Sequence, residues 1–324
     1  MKYFKSSIIV TVIGLLLALF IGGLEALYVV ALLAFLEVSL SFDNAVVNVK
    51  VLESMEEKWQ KRFITWGMIV AVFGMRFLFP IVIVAIASGT GLLETFNMAF
   101  NDASRYHETL VGTEKLIFAF GGAFLLMVFF NFLFDEERED KWIKVIEESA
   151  LLVYMGKISS IQMLLSVFVG LLLIALTSSH EIALAYFSGV LLYSLIASLD
   201  DVFSSNGIRT GIMGFLYLEI LDASFSFDGV IGAFALSSNI FVIMIGLGIG
   251  AMFVRSLTLY MLKQDTLSEY RYLEHGAHYA ILALAGIMLL KIFIPVNELL
   301  VGTIGISFIA IATYHSLNEK VVKE

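Results

Sequence analysis

About ten apolar segments, each close to the ~20 residues that cross the hydrocarbon core of a bilayer, constrain this chain more than any other feature. Apolar residues make up 60% of its 324 residues and charged residues only 15%, whereas soluble domains carry about 25% charged residues. We therefore predict an all-α membrane protein. The predicted spans are residues 7–23, 24–48, 64–88, 115–134, 161–178, 180–199, 211–236, 239–262, 277–295 and 297–314.

The distribution of basic residues predicts the orientation of these spans. With both termini in the cytoplasm, only Arg105 and Lys115 fall outside, while Arg76, Arg255 and Lys291 lie within spans. The rest of the 20 lysines and arginines lie on the inner side, as the positive-inside rule requires. We predict a multi-pass protein of the cell (inner, cytoplasmic) membrane.

The first apolar segment follows a short basic stretch and superficially resembles a signal peptide. No small-residue cleavage site follows it, and the next apolar segment begins almost at once. We interpret it as a retained span, the alternative being a cleaved signal.

Composition excludes several function classes. The chain has no cysteine, so it has no disulfide, thiolate metal site or cysteine nucleophile. Its net charge of −9 argues against binding nucleic acid, which basic patches attract. The sequence contains no phosphate-binding loop, zinc-protease helix or nucleophile elbow, so we expect neither a nucleotide partner, nor a prosthetic group, nor an enzyme.

An internal repeat relates the two halves of the chain. Residues 37–44 read Glu-Val-Ser-Leu-Ser-Phe-Asp-Asn, and residues 222–229 read Asp-Ala-Ser-Phe-Ser-Phe-Asp-Gly. In each half the next span carries one arginine, Arg76 or Arg255. The two motif spans lie an odd number of spans apart and so cross in opposite directions, as in the inverted repeats of transporters. The predicted halves of this single transmembrane domain are residues 1–160 and 161–324.

The spacing within each motif predicts a broken helix. On an ideal helix Glu37, Ser41 and Asn44 fall on one stripe, and Asp43 lies about 120° from Glu37. The two acids of one motif therefore cannot converge on one ion unless the helix unwinds. We predict an interruption in both motifs, within residues 37–48 and 222–232.

The motif side chains form an all-oxygen ligand set. An ionised carboxylate in mid-membrane costs about 2.5–3.5 kcal/mol on insertion scales, so four of them call for a function. Carboxylate, hydroxyl and amide oxygens suit Mn²⁺, Ca²⁺ or Mg²⁺. Arg76 and Arg255 would compensate part of the charge, by pairing with the acids or by contacting the substrate. The candidate metal ligands are Glu37, Ser41, Asp43, Asn44, Asp222, Ser226 and Asp228.

Other polar residues have simpler interpretations. The acids of the motifs could instead form a structural network that holds the helices together. Glu219, one helical turn before Asp222, is a weak candidate for a relay carboxylate. The charged run at residues 135–140 is most simply a solvated cytoplasmic loop. Residues 89–114 are predicted to form a long external segment, to which the sequence assigns no role.

The paired acidic motifs, each followed by a span with an arginine, resemble the TerC family of integral membrane proteins. That family is named for tellurite resistance and belongs with the lysine-exporter superfamily. The resemblance covers roughly residues 30–135 and 215–295. It implies metal-pathway roles for Glu37, Asp43 and Asn44 in the first motif and for Asp222 and Asp228 in the second. Gly229, where a serine is expected, and the extra spans mark a divergent branch.

These observations predict a secondary transporter that exports a divalent cation as its substrate. Mn²⁺ is the ion that the resemblance implies, because bacterial members of the family are implicated in its export. Exchange of metal for protons would balance the charge of the site. The alternatives are an oxyanion (tellurite-type) resistance or transport protein and a membrane scaffold in a stress-response complex.

Overall fold

The computed structural model describes residues 2–135, 138, 140–203, 211–237 and 239–323, which form helices and turns with no β-strand among them. A π-helical segment, Val70–Leu78, separates α3 from α4. The α-helices in chain order are α1 (Lys5–Leu40), α2 (Phe42–Glu53), α3 (Glu57–Ile69), α4 (Phe79–Ser88), α5 (Leu92–Asn101), α6 (Ala103–Leu133), α7 (Lys144–Glu147), α8 (Ala150–Gly156), α9 (Ile161–Thr177), α10 (His180–Phe203), α11 (Gly211–Leu236), α12 (Ile240–Lys263), α13 (Thr266–Glu269), α14 (Leu273–Lys291) and α15 (Glu298–Lys323).

Within the described residues, six helices are long and apolar enough to cross a membrane, and two bent helix pairs raise the number to eight. The bent pairs are α4 with α5, which turn by 120°, and α8 with α9, which turn by 107°. The chain is therefore a multi-pass, all-α membrane protein, while the ten spans and the inverted repeat stay predictions. The six candidate spans are Lys5–Leu40, Ala103–Leu133, His180–Leu199, Ile240–Lys263, Leu273–Lys291 and Leu300–Glu319.

Helix α1 is a hairpin of two helical segments. Gly22 and Gly23 have non-helical backbone angles, with φ of 66° at Gly23, a value that glycine adopts without steric cost. Before this kink the chain runs antiparallel to α12, since Ser7 contacts Met252 while Gly14 faces Ile245 and Ile249. After it the chain runs parallel to α12. There Leu33 faces Gly246 and Glu37 faces Gly250. The two segments therefore run in opposite directions along α12.

The segment at residues 89–114, which the sequence predicts to be external, is largely helical. After the left-handed Gly89 (φ 69°), α5 buries Thr95, Met98 and Ala99, and it exposes apolar residues on its other side. Helix α6 then begins at Ala103, well before the predicted start of its span at residue 115. The exposed apolar side chains of α5 are Leu92, Leu93, Phe96 and Phe100.

The core forms where α6 packs against α10 and α14. Small residues permit these close approaches, as is usual between membrane helices. A side chain at Gly189 of α10 would meet the carbonyl of Phe120, and one at Gly122 of α6 would meet Leu289. Helices α2 and α11 also pack against this core and bring the two acidic motifs towards the centre of the bundle.

Candidate metal site

The first motif contains the predicted break. Helix α1 ends at Leu40 and α2 begins at Phe42, and between them Ser41 has φ −106° and ψ 18°. The backbone N–H of Asn44 donates to the adjacent Asp43 Oδ1 at 2.9 Å. The hydroxyl of Ser41 donates to Glu37 Oε1 at 3.3 Å. The interruption thus lies between the two acids of the motif.

The second motif does not contain a break. Helix α11 runs from Gly211 to Leu236 without interruption, so the prediction for residues 222–232 is wrong. The hydroxyl of Ser224 donates to the carbonyl of Ile220, one turn earlier. A serine that bonds within its own helix in this way does not need an opening of the backbone.

Arg76 joins the two motifs. Its Nη2 and Nε donate to Glu37 Oε1 at 2.6 and 3.1 Å, and its Nη1 donates to Asp222 Oδ2 at 3.1 Å. The amide of Asn44 donates to Asp222 Oδ1 at 2.7 Å. All four residues are at least 95% buried. Of the predicted ligands, Glu37, Asn44 and Asp222 therefore lie around one guanidinium, and Arg76 compensates charge by pairing with acids from both motifs.

Arg255 has a different partner. Its Nη2 donates to Glu219 Oε1 at 2.8 Å and its Nη1 to the carbonyl of Phe63 at 2.7 Å. The guanidinium also lies over the Phe63 ring, 4.0 Å from its centroid. A side chain at Gly67 would meet both Arg255 and Glu219, so this glycine makes room for the ion pair. Glu219, only a weak relay candidate in the sequence, is thus the counterion of the second arginine.

Asp43 lies in the wall of a pocket. The pocket opens between the broken first motif, Gly229 of α11, and small or apolar residues of α14 and α15. Asp43 is only 5% exposed, and none of the described ion pairs involves it. The residues that line the pocket are Glu37, Leu40, Ser41, Asp43, Phe225, Gly229, Ala280, Leu284, Val301, Gly302 and Gly305.

Glu37 joins this pocket to the charged cluster, whose carboxylate and amide oxygens are ligand types that hard cations prefer. The side-chain oxygens of Asn44 and Asn48 are buried and have no hydrogen-bond partner. Among the described residues, the cluster holds four buried carboxylates, those of Asp43, Glu37, Asp222 and Glu219, of which the last three pair with the two arginines; the formal charge of these six groups is −2. No three His, Asp or Glu side chains of the described residues are grouped to hold a metal ion. The side chains of the predicted ligands Ser226 and Asp228 lie outside the described part of the chain.

A further buried ion pair involves a residue of the run that the sequence predicts to be a solvated loop. In the run at residues 135–140, Arg138 is buried and pairs with Glu147 at 3.0 Å, with side-chain exposures of 8% and 0%. For Arg138 the prediction of a solvated position is therefore wrong. His275 Nε2 lies 3.7 Å from the same carboxylate, which Tyr279 also contacts through its hydroxyl. Burial and the Arg138 guanidinium lower the pKa of the nearby Lys141 ammonium.

No sequence signal marks the pair of Arg138 and Glu147, because Arg138 stands in a run of acids and Glu147 in a short polar segment. Their partners on α14 come from more than a hundred residues away. The Arg138 guanidinium lies over the Phe132 ring, which stacks on the ring of His278.

The helices and the buried acids define a class, that of multi-pass α-helical membrane proteins with a charged cluster inside the bundle. Within this class, the chain belongs to the family described as Protein of unknown function (DUF475), whose model matches residues 42–322. The matched region begins inside the first motif and contains the whole of the second. No curated protein and no solved structure matches the chain.

Proposed function

We propose that the protein is a secondary transporter, not an enzyme, that exports a divalent cation with Mn²⁺ as the leading candidate. The observation that carries this proposal is Asp43, a buried carboxylate in a pocket wall with no cationic partner among the described ion pairs. A buried charge of this kind is costly unless it meets a cation. The side-chain amide oxygens of Asn44 and Asn48, one and five residues after Asp43 in the sequence, are buried acceptors without a hydrogen-bond partner.

The charge of the cluster also supports a divalent substrate. The four buried carboxylates and the two arginines of the cluster carry a formal charge of −2. One divalent ion would neutralise this charge, as would two protons after the ion has left. This favours exchange of metal for protons across the cell membrane, with both termini in the cytoplasm. The resemblance of the two motifs to the TerC family supports the same substrate class and a divergent position within it.

An oxyanion is less well supported as substrate. The guanidinium of Arg76 donates to two carboxylates, and that of Arg255 donates to a carboxylate and a carbonyl. Neither arginine therefore offers its charge to an anion in this arrangement. A scaffold role is the outcome expected if the acids prove dispensable.

The test is Mn²⁺ flux in proteoliposomes that contain the purified full chain. Asp43→Asn removes the charge and keeps the shape, so we expect flux to fall to the background of empty vesicles. Glu181→Gln is the matched control, since this exposed carboxylate of α10 lies at a helix start outside the pocket, and it should transport like the wild type. Unchanged flux in a folded Asp43→Asn variant would refute the proposal.

A further inference from the structure

Arg76 lies between two carboxylates that are predicted ligands of a transported cation. Its guanidinium lies between Glu37 of the first motif and Asp222 of the second, at 2.6 and 3.1 Å. Asn44, a predicted ligand, donates to the same Asp222 carboxylate. The side-chain exposures of Arg76, Glu37 and Asp222 are 1%, 2% and 6%, so water contributes little to the stability of these charges.

We propose that Arg76 is a tethered counter-cation, which pairs with Glu37 and Asp222 in the metal-free state and yields these carboxylates to the divalent ion when it binds. This inference rests on the proposed transport function and concerns the regulation of the same site. It explains why two predicted ligands, one from each motif, contact a guanidinium rather than each other. The pair of acids is then never left without a positive partner during the cycle.

The backbone that carries Arg76 suits such a movement. Arg76 lies in the π-helical segment Val70–Leu78, and at its end the N–H of Phe79 bonds to the carbonyl of Gly74, five residues back. π-Helical segments are rare and less stable than α-helix, and they concentrate at functional sites. A change of this segment into α-helix would shift the register by one residue. That shift rotates the Arg76 side chain by about 100° and moves it by about 1.5 Å along the axis.

The exchange also provides a route for release. A divalent ion that replaced the guanidinium between Glu37 and Asp222 would be bound tightly, because buried carboxylates attract a cation strongly in a low dielectric. Return of the guanidinium to these two acids removes two ligands at once. Arg76 therefore competes with the substrate, and its removal should strengthen binding of the ion while it slows release.

The experiment compares Arg76→Gln with the wild type, using the purified full chain in detergent and MnCl2 as the probe. Without metal we expect Arg76→Gln to unfold at a lower temperature, since two buried carboxylates lose their partner. Mn²⁺ should then raise its unfolding temperature by more than that of the wild type and bind about tenfold more tightly. Arg76→Lys, which keeps the charge, should respond to Mn²⁺ like the wild type.

The matched control is Arg138→Gln, which also removes a buried arginine from a buried carboxylate but does so in the cytoplasmic cluster. It should lower the unfolding temperature and leave the Mn²⁺-induced shift at the wild-type value. If Arg76→Gln folds only when purified with Mn²⁺, that result supports the proposal. If it misfolds with and without Mn²⁺, or shows a shift no larger than that of the wild type, the proposal is overturned.

The two proposals fail in different ways. A wild-type protein that neither binds nor transports Mn²⁺ contradicts the proposed function. A wild-type protein that transports Mn²⁺, together with an Arg76→Gln variant that gains no affinity for the ion, contradicts only the role of Arg76.

Discussion

The close approach of α1 and α12 at Gly250 sets the position of Glu37 and can be tested by a single methyl group. The Cβ atom of an alanine at position 250 would lie 2.5 Å from Glu37 Cγ and 3.1 Å from the carbonyl oxygen of Ala34. Ordinary contact between carbon atoms needs about 3.5 Å, so the helices must separate locally by about 1 Å. Overpacking of this kind costs about 1–3 kcal/mol.

The displacement also acts on the charged cluster. Glu37 receives two hydrogen bonds from Arg76, at 2.6 and 3.1 Å, and a shift of about 1 Å would carry at least one of them beyond bonding distance. Since hydrogen bonds to charged groups contribute about 1.5–3 kcal/mol each, we expect Gly250→Ala to lose roughly 2–5 kcal/mol of unfolding free energy. If the proposed function holds, Mn²⁺ flux should fall with it, because the proposed ligand Glu37 has moved.

The assay is unfolding of the purified chain in mixed micelles, paired with flux in proteoliposomes. Gly286→Ala is the control, since this exposed glycine of α14 has no atom within 4 Å of the added methyl group. Alanine is the better helix former, so this variant should be unchanged or more stable by up to about 1 kcal/mol. Equal stability and equal flux for the two variants would refute the close packing of α1 on α12.

Two further predictions concern the other buried ion pairs. Glu219→Gln and Arg255→Gln should each destabilise the protein by about 3–5 kcal/mol, because one charge stays buried without its partner. The double variant should lose much less unfolding free energy than the sum of the two single losses. Additive losses would contradict a direct pair. Glu147→Gln should cost a similar amount, because Arg138 then loses its counterion. The exposed neighbour Glu148→Gln should stay within about 0.5 kcal/mol of the wild type, and thermal unfolding that fails to separate these two variants would count against the pair of Arg138 and Glu147.

Much of the architecture follows from local sequence. A run of apolar residues determines its own free energy of transfer into lipid, and the apolar segments fall on helices that the structure contains. The hairpin within α1 follows from two adjacent glycines. The break at Ser41 is predicted because a straight helix would point Glu37 and Asp43 in different directions. The same local argument is wrong for α11, where Ser224 bonds within its helix and the backbone has no reason to open.

The partners of the buried charges were decided by tertiary structure. The sequence by itself determined an all-α membrane protein with two acidic motifs and an arginine after each, because these are properties of composition and spacing. It could not determine that Arg76 reaches Asp222 across 146 positions, that Arg255 takes Glu219, or that Arg138 lies buried against Glu147. Such pairings depend on where helices cross and how closely glycines let them approach, and no local pattern encodes either quantity.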